Sequence, residues 1–281
     1  MSTTATISAS DVNKLRQITG GGMMDCKKAL TEANGDFEAA IDVLRKKGQK
    51  VAANRSDREA KEGYVIAKVS ADGKRAVVIA LNCETDFVAK NEEFGKVANT
   101  MADVALSKFP ATLDELKALP YSATQSINDK VTEEVGKIGE KIELSKYERI
   151  ESAKVVAYNH PGNKLATLVG FSKADANNID IVSRDVAMQA AAMAPVALDK
   201  DDVDAKTLER EIEIGKEQAR QEGKPENMLE KIAQGKLNKF YKENTLLNQE
   251  FIKDNKKTIS QYIAENDKEL KVTGFKRISL G

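Results

Sequence analysis

Tryptophan is absent from the 281 residues, histidine occurs once and cysteine twice. Each shortage removes a class of function. Cys26 and Cys83 stand far apart with no Cys-x-x-Cys spacing, so neither a disulfide framework nor a zinc site is expected, and a reducing compartment fits. With His160 as the single histidine, a Ser-His-Asp arrangement would have to recruit a residue from a Pro-Gly turn. A surplus of positive charge is also lacking: Lys plus Arg is 44 and Asp plus Glu is 44. Direct nucleic-acid binding, which calls for a basic excess or stripe, is therefore not expected. No apolar run approaches a membrane span, and Met1 to Ile7 has neither the basic nor the apolar region of a secretory leader. A cytoplasmic location is expected, away from membranes.

Reactive constellations are missing as well. There is no dinucleotide fingerprint and no cluster of metal ligands, so no catalytic residue, no metal and no cofactor is expected. Gly20-Gly21-Gly22 precedes a helix as a phosphate loop does. No Walker Lys-Ser/Thr pair follows it, and Asp25 would repel an anion at that helix start.

What is present is periodicity. Apolar residues make up 41% and aromatic residues 5%, which suits a helix-rich chain with room for several domains. Ser10 is expected to cap a helix carrying Val12, Leu15 and Ile18. A second helix, Met24 to Ala33, turns Ala29 and Leu30 inward. Asp36 caps a third, carrying Phe37, Ala40, Ile41 and Leu44 and ending at Gly48. Residues 1–50 thus read as a three-helix module of the ubiquitin-associated type, and 51–62 as a linker. Met23 and Met24 adjoin on a helix and point in different directions, so at least one is expected at the surface, where Met suits an adaptable contact.

A repeat follows. Tyr64–Val69, a turn at Ala71–Lys74 and the run Ala76–Leu81 predict a β-hairpin with a helix after it. Lys154–Tyr158, a turn at His160–Asn163 and Leu165–Phe171 predict the same again, followed by a helix from Ile179; Pro110 and Pro195 end both helices alike. The fold class expected is α+β: the N-terminal module, then two related subdomains at 63–150 and 151–205, with an antiparallel helical hairpin at 206–243 and a helix and strand closing on the core at 244–281. In the hairpin Leu208, Ile212, Met228, Leu229, Ile232 and Leu237 form a thin apolar stripe.

Asn82 to Asn91 lies where strand periodicity gives way to helix periodicity. Such a corner can hold side chains out from a rigid frame. From pattern alone two readings stand: Phe87 tucks into the core with Asp86 capping the next helix, or both are presented outward. The second copy's corner, Ser172-Lys173-Ala174-Asp175, has no aromatic residue, so the corner can be built without one.

Several stretches resemble one family closely. Thr19-Gly20-Gly21-Gly22-Met23-Met24-Asp25-Cys26-Lys27-Lys28-Ala29-Leu30, Thr85-Asp86-Phe87-Val88, Gly223-Lys224-Pro225 and Gly235-Lys236-Leu237-Asn238-Lys239-Phe240 occur in the order found in bacterial elongation factor Ts. The resemblance runs from near Ser8 to the end. It implies a guanine-nucleotide exchange factor, not itself an enzyme, for GDP-bound elongation factor Tu. Carried over residue by residue, it implies that Thr85, Asp86, Phe87 and Val88 disturb the partner's magnesium site. Arg16, Met23 and Met24 would dock the N-terminal module, and His160 would make a contact from the second subdomain. Two departures from the family pattern stand out: Pro161, beside His160, is expected to set that turn differently, and the chain ends soon after Ile278, without the longer tail of some relatives. The alternative is a Tu-binding or nascent-chain-binding module without exchange activity.

Overall fold

Ser8 opens the first helix. Its hydroxyl accepts from the Asp11 N–H at 3.1 Å while the Asp11 carboxylate accepts from the Ser8 N–H at 3.2 Å, a reciprocal cap that takes the role from Ser10. The structure, a computed structural model, describes residues 7–280; the expectation about a secretory leader falls on residues 1–6, which lie outside them. Helices α1 (Ala9–Thr19), α2 (Met23–Glu32) and α3 (Phe37–Asn54) close over Val12, Leu15, Cys26, Ala29, Leu30 and Ala40. Asp36 caps α3, accepting from the Ala39 N–H at 3.1 Å.

Two expectations fail in this module. Ile18 is 64% exposed. Each third helical position lags its predecessor by about 60°, so a stripe begun at Val12 and Leu15 has turned away by Ile18. Gly48 does not end α3, which runs on to Asn54. A lone glycine weakens a helix without stopping it, and this one is kept bare by what packs on it.

The chain continues through β1 (Glu62–Val69), β2 (Arg75–Cys83), α4 (Asp86–Ala89), α5 (Glu92–Lys108) and α6 (Leu113–Ala118). The small ribbon of β3 (Pro120–Ser122) and β4 (Gln125–Ser126) leads into α7 (Ile127–Ile138) and then β5 (Glu143–Glu151). The second pass is β6 (Lys154–Asn159), β7 (Leu165–Phe171) and α8 (Ile179–Met193). After it come α9 (Ala205–Gln221), α10 (Glu226–Asn244), β8 (Glu250–Phe251), β9 (Asp254–Thr258), α11 (Ile259–Asn266) and β10 (Val272–Ser279). The fold is α+β, a three-helix module followed by a core of small antiparallel sheets.

The repeat is visible strand by strand. The two main sheets have the orders β1-β2-β5 and β10-β7-β6, so the second strand of each hairpin is central. Those central strands are buried along nearly their whole length, which is why they read as continuous apolar runs. The hairpin turns match too. Ser70 N–H donates to the Arg75 carbonyl at 2.8 Å, and His160 N–H donates to the Leu165 carbonyl at 2.9 Å. Gly73 and Asn163 take the left-handed position at the end of each turn, with φ of 69° and 54°. Both long helices stop on a left-handed residue, Phe109 (φ 49°) before Pro110 and Ala194 (φ 44°) before Pro195. Proline cannot extend either helix.

The chain divides into two compact units. One takes the chain to Ile66, Ile79–Glu148 and the residues from Ser279; the other takes Ala67–Val78 and Arg149–Ile278. In the first, α3 crosses α7 at Gly48 and Gly136, where a Cβ on Gly48 would lie 2.9 Å from the Thr132 carbonyl oxygen. In the second, Val169, Phe171, Val182, Val186, Leu246 and Ile259 form the centre of one core. Arg220–Glu226 and Lys216–Glu230 pair across α9 and α10 at 3.1 and 2.7 Å, as antiparallel neighbours do. The seam between them is smaller in side chain than its sequence stripe suggests. Met228 is 45% exposed, while Gly215, Ala219, Leu229, Ala233 and Leu237 are buried. A Cβ on Gly215 would meet the Ala233 Cα at 3.3 Å.

Candidate functional site

The corner after β2 is built from the backbone outward. Thr85, not Asp86, caps α4: its hydroxyl faces the Val88 N–H at 3.4 Å. Asn91 then caps α5, accepting from the Glu93 N–H at 2.8 Å, so the helix expected after the hairpin is Glu92–Lys108, and the short α4 stands before it as a separate turn. Only a single turn, Asp86–Ala89, carries the motif. Phe87 stands on it with 82% of its surface exposed, which rules out the core reading. Asp86 sits at the first helical position and holds Lys90 at 2.6 Å. That bond, followed by the carboxylate's charge, raises the Lys90 ammonium above its usual pKa. Val88 is half-buried and lines a cavity of about 220 Å³ with Phe94, Glu134, Lys137 and Ile138. The Glu134 carboxylate in that wall is buried and faces Lys130 Nζ at 2.9 Å.

Behind the turn lies a polar frame that no motif announces. Glu140 accepts from the backbone N–H groups of Glu84 and Thr85 at 3.1 and 3.0 Å and from the Thr85 hydroxyl at 2.7 Å. Glu84 accepts from Arg55, Arg58 and the Lys141 N–H at 2.9, 3.0 and 2.6 Å. Burial alone pushes the Glu84 carboxyl up, but the Lys141 N–H and the two guanidinium groups together carry it below the usual carboxylate range. These residues belong to the end of α3, the segment after it and the loop after α7. Their contacts span long stretches of chain and leave no local periodicity to read.

On the N-terminal module both Met23 and Met24 are at the surface, 45% and 64% exposed. Arg16 is exposed on α1, and Ile18, unforeseen in this role, adds apolar surface on the other side of the glycine turn. Asp25 pairs with Lys47. The glycine turn and the corner share one neighbour: Lys137 approaches Gly20 and also lines the cavity beneath Val88. Arg16, Met23, Met24 and Thr85–Val88 therefore belong to one unit.

His160 belongs to the other unit. Its carbonyl accepts from the Asn163 N–H at 3.1 Å, with Gly162 at φ 88° between them. That is a type II turn, in which Pro161 and Gly162 occupy the positions each favours. The Tyr158 hydroxyl reaches His160 Nδ1 at 2.9 Å.

Among the described residues no group of three or more His, Cys, Asp or Glu is placed to hold a metal ion, and no helix is long and apolar enough to cross a membrane. Phe87, Met23 and Met24 are thus apolar side chains held outward, Phe87 on a turn entered through a polar frame. A family model described as "Elongation factor TS" matches residues 84–281. An elongation factor Ts of Cytophaga hutchinsonii is 56% identical over 276 residues, covering 98% of this chain and 99% of its own. Those of Flavobacterium psychrophilum and Porphyromonas gingivalis are 56% and 51% identical, covering 99% and 98% of this chain and 100% and 98% of theirs. The chain belongs to the elongation factor Ts family, whose members are factors of translation elongation.

Proposed function

We propose that this chain is a guanine-nucleotide exchange factor for elongation factor Tu, acting on the GDP-bound form without chemistry of its own. The observation that carries the reading is Phe87, an aromatic ring 82% exposed on a turn whose entry is fixed by hydrogen bonds. An apolar ring so presented has no folding benefit to offset its exposure, and it suits insertion into a partner.

Exchange is thermodynamic linkage. If binding of this chain weakens GDP binding by some factor, GDP weakens binding of this chain by the same factor. Loosening a nucleotide by ~10³ requires about 4 kcal/mol of coupling. A solvent-exposed ion pair such as Asp86–Lys90 supplies ~1 kcal/mol or less. A buried aromatic anchor at an interface can be worth more than ~2 kcal/mol, and a large interface supplies the rest.

In this reading Phe87 wedges between elements of the GTPase and shifts the backbone that orders its Mg²⁺, removing the largest local counter-charge to the β-phosphate. Thr85 and Val88 hold the wedge, and Asp86 is its polar companion. Arg16, Met23 and Met24 dock the module on the GTPase, and His160 adds a contact from the second unit. Release of fluorescent GDP from Tu, followed by stopped flow, tests the reading. Phe87→Ala is expected to slow release severely while the variant still binds Tu. Release at the unaltered rate would sink the wedge; binding by the unaltered chain without any release would leave a holding module instead.

A further inference from the structure

We propose that Glu140, outside every motif that carries the family resemblance, is the positioning residue for the Phe87 turn. The inference rests on the exchange reading above. Helix α4 has four residues, too few to sustain itself, because the first helical turn costs more conformational freedom than its bond returns. The exposed Phe87 ring gains nothing from the core that would hold the turn in place. Its direction must come from the ends of the turn.

Glu140 supplies the entry end. One carboxylate oxygen accepts from two successive backbone N–H groups, Glu84 at 3.1 Å and Thr85 at 3.0 Å, and so fixes the peptide plane leading into α4. The other oxygen accepts from the Thr85 hydroxyl at 2.7 Å. A hydroxyl has one proton and two lone pairs. With the proton committed to Glu140, the lone pairs are left for the Val88 N–H, which is the cap of α4. One carboxylate therefore sets both the backbone and the direction of the capping oxygen.

The site demands acceptors on both oxygens. An amide in place of the carboxylate would present an NH₂ group either to two N–H donors or to a hydroxyl that must then turn over and lose its aim at Val88. Glu140 is itself rigidly placed. It follows Gly139, which ends α7 in the left-handed conformation at φ 78°, and the adjoining Lys141 N–H is tied to Glu84 at 2.6 Å. The ordering of the turn is thus completed before any partner arrives, and pre-ordering of this kind favours the step that needs the fixed geometry.

The experiment uses the full chain with Tu loaded with fluorescent GDP. Glu140→Ala should slow GDP release by about tenfold, the scale set by losing the acceptor for two amides and a hydroxyl, while affinity for nucleotide-free Tu changes less than about threefold. Glu140→Gln should fall between the two. A merely structural role is separated by the double variant. Glu140→Ala in a Phe87→Ala background should slow release no further, since the group being aimed is gone. Amide hydrogen exchange at Glu84 and Thr85 should quicken in Glu140→Ala while the rest of the chain keeps its protection. Release at the wild-type rate by Glu140→Ala, or slowing that adds in full to that of Phe87→Ala, overturns the proposal alone. A wild-type chain that releases no GDP overturns the exchange reading and the proposal with it.

Discussion

Gly48 of α3 and Gly136 of α7 meet backbone to backbone: a Cβ on Gly136 would lie 2.9 Å from the Gly48 Cα. Two helices approach so closely only where neither has a side chain at the crossing. This is the contact that fastens the N-terminal module to α7 within the first unit. Glycine is a poor helix former, so Gly48→Ala gains about 1 kcal/mol in propensity. The new methyl would press on the Thr132 carbonyl, which is backbone and cannot swing aside. Overpacking of that kind costs ~1–3 kcal/mol. The loss should win narrowly for alanine and clearly for Gly48→Leu. Thermal unfolding is expected to shift down by a few degrees for Gly48→Ala, roughly 2–4 °C per kcal/mol, and further for leucine. A raised midpoint for Gly48→Ala would mean that the crossing is looser than described.

Met23 and Met24 test docking separately from exchange. Both are well exposed, so truncating them removes little buried surface and should leave stability within about 0.5 kcal/mol. At an interface the same side chains would be buried. Met23→Ala with Met24→Ala is expected to weaken the complex with Tu by ~2 kcal/mol, about thirtyfold in Kd, read by calorimetric titration. Release of GDP at saturating concentration should change much less, because Phe87 is untouched. Unaltered affinity would reject the module as a docking surface.

What the sequence disclosed follows from the range of each interaction. The helices and hairpins were legible because their signals repeat within a few residues, as in the buried runs of β2 and β7. Caps were less so. Ser8 and Ser10, or Thr85 and Asp86, can all accept from a helix start, and the choice depends on where the backbone bends. Gly48 reads as a helix end until its neighbour Gly136, distant in sequence, is known. The strand-to-helix corner that carries Phe87 was readable as a local pattern, but pattern alone left open whether the ring turned inward or outward, and its 82% exposure decides for outward. The corner's support was not readable: Glu140, Arg55 and Arg58 reach it across long sequence separations, and each alone is one more surface charge.

Cys83, at the end of β2, gives the corner a chemical reporter. Burial pushes its thiol from 9.0 up to about 12, and the nearby charges of Glu140 and Glu62 add to the effect. Its Sγ donates to the Thr85 carbonyl at 3.2 Å. A thiol whose folded pKa is raised keeps its proton in the native state after the unfolded chain has lost its own. Between pH 9 and 12 the unfolded state therefore binds fewer protons, and stability must fall as pH rises through that window. The slope from this one group is about 1 kcal/mol per pH unit. Chemical denaturation from pH 8.5 to 10.5 should show it, and Cys83→Ala should flatten it by that amount. In a Cys26→Ala chain, a thiol-disulfide reagent at pH 8 should react with Cys83 only as the protein opens, about a hundredfold slower than in denaturant. Glu140→Ala, by freeing the Thr85 backbone and removing a negative charge, should quicken that reaction. A Cys83 that reacts at the unfolded rate in the native chain would show that the corner does not hold closed.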